Sequence, residues 1–153
     1  MRDSSFVSER RRASAPGVAG LSLLLVAMLS LSASPTAFAK DTIPPTFAGL
    51  KSATTCIPGP VGGGRTSSYH LSWDPATDNR TPSSQIVYDI YQATTPGGED
   101  FSKPTYTTAA GATSFDTPPL PTDKAFYFVV RARDRAGNSD SNKVERQGQN
   151  LCV

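Results

Sequence analysis

Residues 126–133 (FYFVVRAR) alternate with a period of two. Phe126, Phe128, Val130 and Ala132 fall on one side, and Tyr127, Val129, Arg131 and Arg133 on the other. Successive side chains of a strand point to opposite faces, so this pattern predicts a strand with one face in an apolar interior. The alternation stops at Asp134-Arg135-Ala136-Gly137-Asn138, whose residues favour a turn. The chain then reverses, and a last strand over 143–147 is expected to pair beside the first. The same period runs through 68–73 (SYHLSW), with Tyr69, Leu71 and Trp73 inward and His70 outward. It recurs in 86–94 (IVYDIYQAT), with Tyr88 and Ile90 on one face and Asp89 and Tyr91 on the other.

Three weaker segments complete the set. Residues 47–55 carry Phe47 and Leu50 as apolar anchors. Residues 103–108 hold Pro104, which cannot donate to a ladder and so marks an edge. Residues 112–117 form a further short strand. Between them lie turn-rich stretches: Pro58–Gly64 with its glycine run at 62–64, Asp74–Ser84, Pro96-Gly97-Gly98, and the corner Pro118–Thr122. No helical period follows residue 39. About seven short strands separated by turns predict an all-β, immunoglobulin-like antiparallel β-sandwich.

The amino-terminal part follows a different pattern. Arg10-Arg11-Arg12 precede the apolar run 18–33, and Ala37-Phe38-Ala39 supplies small residues two apart. This order reads as a secretory signal peptide over 1–39, cleaved after Ala39. The run is shorter than the ~20 apolar residues of a spanning helix, and serines interrupt it. A short linker is expected over 40–46, extended at Pro44-Pro45, and the sandwich over 47–153. The leader holds four of the 15 Lys+Arg and two of the 13 Asp+Glu, leaving eleven of each sign for the remainder. A neutral domain without a basic run gives no electrostatic case for nucleic acid or for a membrane surface. Cys56 and Cys152 are the two cysteines. In the oxidising compartment that the leader implies, they are expected to form a disulfide.

The order Pro44-Pro45, LSW at 71–73 followed by DPATDN, YDIY at 88–91, and the run from Leu120 through AFYFVVRARDRAGNS resembles the fibronectin type III family. The resemblance spans about Ile43 to Glu145. It implies that Trp73 is the core tryptophan of the second strand, and that Leu120, six residues before Phe126, is the corner leucine. The family's usual tyrosine at that aromatic position is Phe126 here, so the corner rests on packing or on Tyr127. The cysteine pair lies outside the family pattern. ATTPGGEDFSKP and RDRAGNSD look like modules of secreted bacterial proteins, which implies a non-catalytic spacer or binding module, often beside carbohydrate-active domains.

The residues offer little catalytic chemistry. His70 stands alone, without a second histidine or a zinc-spaced cysteine motif. No G-x-S-x-G is present, and the glycines at 62–64 lack the lysine of a phosphate loop. Glu99-Asp100 would need a cleft to act as an acid–base pair. No enzyme activity and no cofactor are expected. Asp74, Asp78 and Asn79 in one loop and Asp134 and Asn138 in another could converge on a calcium ion. Turn chemistry explains the same residues without one, with Arg80 and Arg135 offsetting the acids, so no metal is assigned. For binding, the loop end offers Arg80, Asp134, Arg135 and Asn138, and a sheet face offers Tyr91 and Tyr127 as an aromatic platform for sugars. The partner expected is an extracellular protein or, alternatively, a polysaccharide.

Overall fold

The computed structural model describes residues 39–57 and 64–152. The expected signal peptide lies outside the described residues, apart from Ala39. Ten strands follow in order: β1 (Ser52–Thr55), β2 (Thr66–Ser67), β3 (His70–Ser72), β4 (Val87–Ala93), β5 (Tyr106–Thr107), β6 (Ser114–Asp116), β7 (Leu120–Pro121), β8 (Tyr127–Arg133), β9 (Glu145–Gln147) and β10 (Gln149–Asn150). A short 3-10 turn, Ser83–Gln85, precedes β4. None of the helices among the described residues is long and apolar enough to cross a membrane.

The strands form two four-stranded sheets, β10-β1-β3-β6 and β5-β4-β8-β9, and a small ribbon of β2 with β7. All pairings are antiparallel except β1 with β10, which is parallel. Each of the seven expected segments contains a strand, shorter than its pattern. The three additional strands, β2, β7 and β10, are two residues long.

The alternation decides what lies between the sheets. Leu50, Ala53, Tyr69, Leu71 and Trp73 come from one side. Tyr88, Ile90, Phe126, Phe128, Val130 and Ala132 meet them from the other. Burying each large side chain contributes roughly 1.5–3 kcal/mol. The aromatics pack tilted or edge-on: Trp73 and Phe47 each lie 5.2 Å from Tyr88, and Tyr69 lies 6.0 Å from Phe126. The Trp73 indole donates to the carbonyl of Ala112 at 3.0 Å. Tyr106 of β5 stacks 5.2 Å from Phe115 of β6 and closes one side of the core. The corner rests on packing, with Phe126 buried and Leu120 half-buried against the same cluster.

The outer face of the second sheet holds one buried ion pair. Asp89 accepts two bonds from the Arg133 guanidinium, Nε at 2.7 Å and Nη2 at 3.1 Å, and one from the Thr107 hydroxyl at 2.7 Å. The Asp89 side chain is 5% exposed and that of Arg133 is 37%. Burial alone would raise the Asp89 carboxyl, but the bonds from Arg133 and Thr107 and the guanidinium charge outweigh it and hold it below the ordinary value. A carboxyl depressed in the folded state stabilises the fold above its unfolded pKa and loses that contribution as pH falls through the folded value. Stability measured by urea titration is therefore expected to decline on acidification below about pH 4. Arg133→Met should cost about 2 kcal/mol at neutral pH, a buried-pair figure reduced because the arginine is partly solvated. Unchanged stability in that variant would show that Asp89 is solvated without its partner.

Candidate functional site

One end of the sandwich gathers three segments. The first is the amino-terminal stretch 39–46, the second the loop from Asp74 to Gln85, and the third the turn Asp134–Asn138. Thr46 and Thr77 exchange backbone hydrogen bonds of 2.7 and 3.0 Å, which docks the stretch expected to be a linker onto the second segment. The Tyr88 hydroxyl accepts the N–H of Ala76 at 2.8 Å, and Ser83 Oγ donates to the Ala76 carbonyl. The third segment is a closed turn. Asp134 N–H donates to the Asn138 carbonyl, and Asn138 N–H donates to Asp134 Oδ1 at 2.7 Å. Gly137 has φ +92°, a conformation that other residues adopt only with strain.

Cross-links join the three. Asn138 Nδ2 donates to the Asp41 carbonyl at 3.2 Å, to the Ile43 carbonyl at 3.5 Å and to Asp134 Oδ2 at 2.7 Å. The Arg135 N–H reaches the Thr81 hydroxyl at 3.4 Å. The structure thus brings together the four loop-end residues expected from the sequence. Asp134 is buried at 3% exposure. Asn138 is half-buried, and Arg80 and Arg135 are exposed. The arginines do not offset the acids. Arg80 Nη1 donates to the Ala39 carbonyl at 2.7 Å, and Arg135 Nη1 to Gln85 Oε1 at 3.0 Å. A shallow depression of about 330 Å³ opens between Asp41, Arg80, Thr81, Arg135 and Ala136.

Acidic side chains converge beside it. One carboxylate oxygen from each of Asp41, Asp78 and Asp134 lies within 4.8 Å of the other two. The N–H groups of Arg80 and then Thr81, both at 2.8 Å from Oδ2, hold the Asp78 carboxyl below its ordinary value. Of the cation ligands considered from the sequence, Asp78, Asp134 and Asn138 meet here. Asp74 instead pairs with Lys51 Nζ at 3.1 Å, and Asn79 is exposed. Asp41 was hidden in the linker. No periodicity marks it, and only the fold carries it to Asn138, 97 residues away.

The sheet face differs from expectation. Tyr91 points away from the core, yet it is only 6% exposed. Phe101, from the loop after β4, packs edge-on against it at 5.1 Å, and the Arg131 guanidinium sits 3.7 Å over the Phe101 ring. Tyr91 is therefore covered and presents no open ring to a sugar. Tyr127 is half-buried, and Val129 is buried at the pairing position opposite Tyr91.

His70 is exposed, with Nδ1 2.7 Å from Asp116 Oδ1 on the neighbouring strand, a cross-strand pair. Glu99 is turned toward Glu145 instead of joining Asp100 across a cleft. Burial, and then the neighbouring Glu145 charge, raise its carboxyl above the ordinary value, against the pull of its own backbone N–H. Cys56 and Cys152 form the expected disulfide. No protein-family model matches the chain, and comparison with curated proteins gives no significant match.

Proposed function

We propose that this protein is a secreted, non-catalytic binding or interaction module of fibronectin type III type, and that its loop end is the binding surface. The observation that carries the reading is the rigid end itself. Three segments distant in sequence are tied together by hydrogen bonds, and Arg80 and Arg135 stand exposed at the rim of an open depression. Loops held by a rigid sandwich present side chains with little ordering cost on binding. The disulfide and the β1-β3-β6 and β5-β4-β8-β9 strand neighbours support the exported, fibronectin-like part of the reading.

A polysaccharide-binding role on the sheet face is the weaker alternative, because Tyr91 lies beneath Phe101 and Arg131. Affinity capture from culture supernatant and cell envelope separates the two. A protein partner is expected to be retained, and Arg80→Ala with Arg135→Ala should weaken it by about tenfold or more, as exposed arginine anchors do at interfaces. Equal capture by the double variant would remove the loop end. Retention on chitin, cellulose or starch, lost on Tyr127→Ala, would favour the alternative.

A further inference from the structure

We propose that Asp41, Asp78 and Asp134 bind a calcium ion at the loop end, clamping the amino-terminal segment to the two loops. The first ground is spacing. Oxygens sharing one calcium at ~2.3–2.6 Å lie at most about 5 Å apart. The three carboxylates meet that limit, with oxygens inside 4.8 Å of one another. Magnesium needs shorter bonds of ~2.0–2.1 Å and a stricter octahedron, which three carboxylates fixed by their own hydrogen bonds are less suited to supply.

The second ground is independent of spacing. Among the described residues, three buried side-chain polar atoms accept or donate no hydrogen bond, and two of them are Asp41 Oδ2 and Asp78 Oδ1. A buried carboxylate oxygen without a donor is costly, and three converging negative charges add to that cost. No lysine or arginine among the described residues forms an ion pair with any of the three. The two arginines at this end are directed to Ala39 and Gln85.

The hydrogen bonds that do exist orient the carboxylates. Asp78 spends Oδ2 on the N–H groups of Arg80 and Thr81 and leaves Oδ1 free of donors. Asp41 spends Oδ1 on the Ile43 N–H at 3.2 Å and leaves Oδ2. Asp134 is fixed by both nitrogens of Asn138, the residue that also grips the Asp41 carbonyl. Hard anionic oxygens, from a rigid frame, are the donor set calcium takes. The inference holds whether or not the loop end docks a protein.

The test is calorimetric titration with calcium chloride, after chelator treatment, on purified protein that retains Asp41. Thermal unfolding is followed in chelator and in calcium. One site is expected, with a Kd on the order of 10⁻⁴–10⁻³ M or tighter, and the melting midpoint should rise with calcium. Asp41→Asn, outside every strand, should weaken binding by about tenfold or more. That variant should melt at or above the parent in chelator, since like-charge repulsion is relieved, and below it in calcium. Asp78→Asn should weaken binding to a similar degree, but should melt below the parent even in chelator, because the Arg80 and Thr81 N–H groups lose a charged acceptor. Absence of both heat and midpoint shift at millimolar calcium would overturn the proposal, as would an equal response to magnesium. Asp41→Asn melting lower by the same margin in chelator and in calcium would also overturn it, assigning Asp41 to folding alone.

Discussion

Replacing Cys56 and Cys152 by serine is expected to lower the stability of the domain by about 4–5 kcal/mol and its melting midpoint by more than about 10 °C. The bridge joins residues 96 apart. Without it the unfolded chain gains the freedom of nearly the whole domain, while the folded state loses few contacts, because β10 is two exposed residues. The effect therefore resides chiefly in the unfolded ensemble. Urea titration checks this, since the serine variant should also show a steeper dependence on denaturant as its unfolded state expands. A midpoint within a few degrees of the oxidised protein would mean that the carboxyl-terminal strand frays before the rest unfolds.

Tyr88→Ala is expected to cost about 3–5 kcal/mol, as large aromatic truncations in packed cores do. Tyr88 is fully buried and touches both Phe47 and Trp73. Its hydroxyl also accepts the Ala76 N–H, so Tyr88→Phe removes one atom and leaves a buried donor unpaired, at about 1–3 kcal/mol. The two variants separate packing from positioning. Tyr88→Phe should keep the core and loosen the loop that carries Asp78, which amide exchange at Ala76 and Thr77 would report. Parental protection at both amides in Tyr88→Phe would show that the loop is held without the hydroxyl.

The strands were legible because burial on one face writes a period of two into the sequence. Phe126, Phe128, Val130 and Ala132, or Tyr69, Leu71 and Trp73, are each sorted by local chemistry alone. β2 and β10 left no such mark, since two polar residues held by distant partners carry no period. Tyr91 shows a second limit. Alternation places it correctly on the outer face, but whether that face meets water depends on Phe101, ten residues on, folding back across it. The loop end was legible in Arg80, Asp134, Arg135 and Asn138, because turn residues and sandwich topology together bring those loops to one place. Asp41 was not, because its role depends on a stretch that reads as a tether and instead lies docked, through Thr46, against Thr77.

The parallel pairing of β10 along β1 has a consequence for association between molecules. It covers the backbone groups of Thr54 and Thr55 that would otherwise form an open sheet margin, and unprotected margins recruit strands from other chains. Chemical reduction would release that cover, so the thiol form should self-associate through β1 at concentrations where the oxidised form stays dispersed.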